Sequence, residues 1–80
     1  MAGYVTVGLK GGELMDKALL NYKMEQAEVT NIELARVLGI SVVTLYRKKM
    51  GLNEFNRAEI QKIMERLSLT MEEKDQIFFN

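Results

Sequence analysis

Only Gly39-Ile40-Ser41 separates two stretches that each read as a helix, and this link constrains the fold more than any other feature of the chain. Upstream, Thr30-Asn31-Ile32-Glu33 has the form of a capping box. Its threonine hydroxyl accepts from the backbone N–H three residues on, and its glutamate reaches back. Leu34, Ala35 and Leu38 then make one apolar face. Gly39 stops the helix, because glycine tolerates the left-handed backbone that a helix end requires. Ser41 opens the next helix, from Val42 to about Met50, and Gly51 ends it. Two helices joined so tightly cannot lie antiparallel; they cross steeply. The crossing dictates its own side chains. Ala35 is small where the two helices press together, Gly39 makes the turn, and Leu38, Ile40 and Leu45 plug the space beneath. These five residues read as purely structural.

The rest of the chain supplies what such a unit packs against. From Glu13 to about Gln26 the pattern is helical. Leu14, Ala18 and Tyr22 stand at i, i+4, i+8, flanked by Met15 and Leu19, with Glu13 and Asp16 in the first turn. Asn56-Arg57-Ala58-Glu59 is a second capping box, followed by Ile60, Ile63, Met64 and Leu67 at helical spacing. Thr70-Met71-Glu72-Glu73 is a third, opening a last helix with Ile77 and Phe78. An all-α domain of five helices is expected over residues 13–80. Residues 1–12 form an N-terminal arm. Its Tyr4-Val5-Thr6-Val7 is β-prone and punctuated by Gly3, Gly8, Gly11 and Gly12, which fits a flexible arm or a short strand needing a partner.

Composition excludes more than it selects. Eighty residues make one small domain with a thin core. With no Cys and no His, disulfides, nearly all structural zinc sites, Cys nucleophiles and His acid–base chemistry are out of reach. No enzyme, metal or cofactor is expected. No apolar run suggests a membrane span or a secretory leader, so a cytoplasmic location is expected. Eleven basic residues balance eleven acidic ones, which alone argues against a nonspecific polyanion binder. The charge is segregated, however. From Leu34 to Asn53 there is no Asp or Glu, while Arg36, Arg47, Lys48 and Lys49 all fall there. That window is +4 and the remainder −4.

The stretch N-I-E-L-A-R-V-L-G-I-S-V-V-T-L-Y-R-K-K-M-G, with its A-x-x-x-G-I-S-x-x-T-L core, resembles the DNA-binding helix-turn-helix of lambda-repressor-like (Cro/CI-type, Xre-like) transcriptional regulators of phages and bacteria. Phe55, E-I-Q-K-I-M-E-R-L-S-L-T-M-E-E and the terminal I-F-F are similar to the fourth and fifth helices of small phage-type members, so the resemblance covers roughly residues 13–80. It implies a five-helix lambda-repressor-like domain, sequence-specific binding of double-stranded DNA and, often, homodimers on palindromic operators. The chain departs from the family at two places. Met50 stands where members commonly carry Asn before the closing glycine, and Lys48 and Lys49 where they tend to be apolar. Met50 is then expected to enter the core by a local shift.

A recognition helix in the major groove offers its N-terminal residues to base edges while flanking groups hold phosphates. The expected base contacts are Val42, Val43, Tyr46 and Arg47. Arg47 can donate two hydrogen bonds to guanine, and the valines can pack on thymine methyls. Ser41, Thr44, Lys48 and Lys49 suit phosphates, and the resemblance adds Asn31 as a phosphate contact. Each has a plainer alternative. Val42 and Val43 can be core, Tyr46 can turn inward, Lys48 and Lys49 can be a solvated turn, and Arg36 can simply face solvent.

The leading function is thus a phage or prophage transcriptional regulator of the repressor kind, working as a homodimer on a palindromic operator with no small-molecule effector. The alternative is a protein-interaction module, such as an antirepressor or antitoxin-like partner, that keeps the fold without binding DNA. Dimers can form through the arm or through Ile77-Phe78-Phe79, where one phenylalanine is core and the other is a candidate interface residue.

Overall fold

The computed structural model describes residues 15–79. The arm at residues 1–12, with the start expected for the first helix, lies outside them. Five helices follow in order: α1 Lys17–Gln26, α2 Asn31–Leu38, α3 Val42–Lys49, α4 Arg57–Leu67 and α5 Met71–Phe78. There is no strand among the described residues. The expected all-α, five-helix architecture is present.

Every helix begins on a side chain that accepts from the backbone N–H three residues on: Asp16, Thr30, Ser41, Asn56 and Thr70. The boxes at Asn56/Glu59 and Thr70/Glu73 are complete in both directions. The one at Thr30 is half made. Thr30 Oγ1 accepts from the Glu33 N–H at 3.1 Å, but the Glu33 carboxylate turns away to Arg66 Nη2 at 2.6 Å. A charged partner on α4 outcompetes a neutral backbone donor. In the complete box on α5, the hydrogen bond from the Thr70 N–H holds the Glu73 carboxyl below its usual range, with Lys23 adding to it.

The helix ends share one device. After each of α1 to α4, one residue takes a left-handed backbone: Glu28, Gly39, Gly51 and Ser68. The next residue's N–H then bonds back to the carbonyl five positions earlier, from Val29 to Met24, Ile40 to Ala35, Leu52 to Arg47 and Leu69 to Met64. The side chain that follows the kink is apolar each time. Val29 and Leu69 are buried and Ile40 packs on the core, whereas Leu52 stays exposed. At Gly39, with φ at 72°, no atom would lie within 4 Å of an added Cβ, so the need for glycine is backbone geometry alone. Gly39→Ala is expected to cost about 1 kcal/mol, read as a lower denaturation midpoint with an unchanged slope.

One core joins all five helices. Leu20, Leu34, Leu45, Ile63 and Ile77, one from each, are fully buried. Ala35 and Leu38 are buried beside them, and α2 packs on both α3 and α4. The chain closes where α1 meets α5. The Asp16 N–H donates to the Ile77 carbonyl at 2.9 Å, and Lys23 pairs with Glu73 at 3.0 Å. Phe78 meets Phe55 edge to face with ring centroids 5.5 Å apart, while Phe79 is exposed.

Two expectations for the first helix are corrected. Asp16 is its N-cap rather than part of its first turn, so among the described residues it begins at Lys17. Its buried residues are Leu20 and Met24, whereas Ala18 and Tyr22 are exposed. Ala18, Leu19, Leu20, Tyr22 and Met24 encircle this helix, and docking against α5 and against Lys49 of α3 selects which of them face inward.

Candidate nucleic-acid interface

α3 turns Val42, Leu45 and Lys49 inward, at i, i+3 and i+7. Its other side presents Val43, Tyr46, Arg47 and Met50 to solvent. The expected base-contact set therefore divides. Val43, Tyr46 and Arg47 share the open face, with Val43 67% exposed. Val42 is half-buried against the core and does not belong to that face. Of the rival readings, Val42 takes the core one and Val43 does not, and the Tyr46 ring stands out rather than in.

At the head of α3, Ser41 and Thr44 are coupled. Ser41 Oγ accepts from the Thr44 N–H at 3.0 Å and donates to Thr44 Oγ1 at 2.9 Å. Both hydroxyls are thus engaged in ordering the first turn. The backbone N–H groups of Val42 and Val43 precede the first intrahelical bond, and they are the donors left for an anion there.

The basic window contracts. Lys48 folds back over Phe55, its Nζ 3.0 Å from Glu59 Oε1, and donates to the Glu54 carbonyl at 3.0 Å. Glu59 is itself buried as a member of the α4 capping box. Lys48 is therefore a tie between α3 and α4 rather than a free cation on the phosphate side. Lys49 is further in, at 7% exposure. Its Nζ donates to Asn31 Oδ1 at 2.8 Å and lies 3.7 Å from Met24 Sδ. Burial pushes the ammonium below the usual lysine range, and nearby Lys17 pushes the same way. Neither lysine stands where a phosphate contact was expected, and neither is a solvated turn. Arg36 and Arg47 are exposed and make no ion pair among the described residues.

Met50 is the mirror image of Lys49. Expected in the core, it is 63% exposed. The helix has one more inward place after Leu45, and position 49 occupies it; the lysine goes in and the methionine goes out. Reading Val42, Leu45 and Lys49 as a single i, i+3, i+7 row would have shown this. The ion pairs of Glu59 and Arg66 carry no such local signal, because their partners come from distant segments.

Asn31, first residue of α2, is half-buried and, with Lys49, lines an open cleft of about 560 Å³. No group of three Asp or Glu suited to a metal ion occurs among the described residues, and no helix among them is long and apolar enough to cross a membrane. Comparison of the chain with protein-family models, curated proteins and solved structures yields no match.

Proposed function

We propose that this chain binds duplex DNA sequence-specifically through α3 and acts as a transcriptional repressor, as a homodimer on a two-fold operator. One observation carries the reading. The helix after the tight turn keeps its inner row in the core and leaves Val43, Tyr46 and Arg47 together on an open face, with the arginine unpaired among the described residues. That is the arrangement a recognition helix needs: one bidentate donor for guanine and an apolar group for thymine methyls, on a rigid support. The resemblance of residues 31–51 to lambda-repressor-like regulators points the same way, toward a phage or prophage source.

With Lys48 and Lys49 withdrawn, few cations remain for the backbone. Nonspecific affinity is then low, and specific binding leans on two subunits and on base contacts. Arg47→Ala is expected to weaken binding to the preferred duplex by about 1–3 kcal/mol and to relax a single base-pair position per half-site, with no change in Tm. Uniform weakening across all sequences would reassign Arg47 to the phosphates.

A second reading has its own observation. Val43, Tyr46, Met50 and Leu52 are all exposed on or just after α3 and make an apolar strip. A protein-interaction module would use that strip for a partner protein. It predicts no duplex binding even at low salt, with the folded chain co-purifying with one stoichiometric partner.

A further inference from the structure

We propose that Lys49 is a positioning residue for DNA-backbone binding, its ammonium fixing the Asn31 amide from inside the domain so that the NH2 group faces a DNA phosphate. This rests on the DNA-binding reading above and names the inner half of its backbone contact.

The geometry runs outward from the core. An ammonium has donors only, so an amide meeting it must present its oxygen, as Asn31 Oδ1 does at 2.8 Å. The two N–H donors at the other end of the amide are thereby turned away from Lys49. No buried side-chain N or O among the described residues lacks a partner, so that end is not stranded inside the fold. Asn31 opens α2, where free backbone N–H groups and the helix dipole add to the attraction for an anion.

Packing alone does not account for the lysine. It occupies the inner row with Val42 and Leu45, touches Met24 and forms no ion pair among the described residues. Glu25 and Glu28 line the same cleft without pairing to it. A buried charge without a counter-charge is a liability for stability, and methionine would fill the same space at no such cost. What the ammonium adds is the orientation of Asn31 and a positive charge directly behind it.

The test uses the full chain and the duplex that the wild-type protein selects from random sequences. Affinity is measured for wild type, Lys49→Met, Asn31→Ala and the double variant, across salt and with each phosphate replaced in turn by a neutral methylphosphonate. Lys49→Met is expected to keep or raise the Tm and to select the same sequence. It should lose affinity on the order of tenfold at a fixed salt concentration. Asn31→Ala should match it, and the double variant should be no weaker than either. One methylphosphonate should weaken the wild type and leave Lys49→Met unaffected. Lys49→Gln, which still donates to Asn31 Oδ1, should restore sensitivity to that phosphate, and it serves in place of Lys49→Met if the latter lowers the Tm. Unchanged affinity in Lys49→Met, additive losses in the double variant, or an unaltered methylphosphonate profile in Asn31→Ala would each overturn the proposal while leaving DNA binding intact. A wild-type protein that selects no duplex overturns both.

Discussion

Leu45→Ala is expected to remove about 2–5 kcal/mol of stability, a large share of the ~5–15 kcal/mol available to a small domain. The side chain is fully buried and sits at i+3 from Val42 on the inner row of α3. It belongs to the core that α2 shares with α3 and α4. Truncation leaves a cavity that rigid helices cannot close, because the crossing is fixed by Ala35 and by the left-handed Gly39. At roughly 4–8 °C per kcal/mol for a domain of this length, the Tm should fall by at least about 8 °C, and any DNA binding should fail only as the fold fails. A loss below about 1 kcal/mol would mean that Leu45 does not hold the crossing.

Val43→Glu should do the opposite, two residues away. Val43 is exposed, in a first turn that contains no acidic residue. A carboxylate there suits the positive end of the helix dipole, so the Tm should stay level or rise slightly. On duplex DNA the same carboxylate meets phosphates and acceptor-rich base edges. The expected loss is several kcal/mol, on the order of a thousandfold in affinity. Circular dichroism with a binding titration reads both quantities. Retained binding by a folded Val43→Glu protein would move the DNA-facing surface off α3. The contrast between the two variants isolates the claim, since one damages the support and the other only the face.

The fold was legible wherever the signal was local. Thr30, Ser41, Asn56 and Thr70 announce their helices because a cap is a contact within four residues. Gly39 and Gly51 announce two of the helix ends. Glu28 and Ser68 do not, because their left-handed backbones are imposed by the apolar residue that follows each of them into the core. The facing of α1 was not legible either. Apolar residues encircle it, and the choice of Leu20 and Met24 over Ala18 and Tyr22 is made by segments distant in sequence, among them α5 and Lys49 of α3.

The candidate site divides along the same line. Val43, Tyr46 and Arg47 could be placed on the outer face of α3 from helical spacing. The inward turn of Lys49 follows from the same spacing, but the partners of Lys48 and Lys49 do not, since Glu59 and Asn31, which hold them, lie 11 and 18 residues away in sequence. A run of Arg47-Lys48-Lys49 reads as one basic patch; in the folded chain each cation has a separate fate. Arg47 is open, Lys48 is paired and Lys49 is inside. The +4 window thus overstates the positive charge this surface offers to DNA.

Selection of bound duplexes from a random pool, with the full chain at low salt, tests the central claim most directly. The account predicts enrichment of a two-fold motif whose half-sites lie one helical turn, about 34 Å, or a multiple of it apart, with a G·C pair in each half-site that Arg47→Ala relaxes. A folded protein that enriches no motif would contradict it and leave the apolar strip of Val43, Tyr46, Met50 and Leu52 as the functional surface.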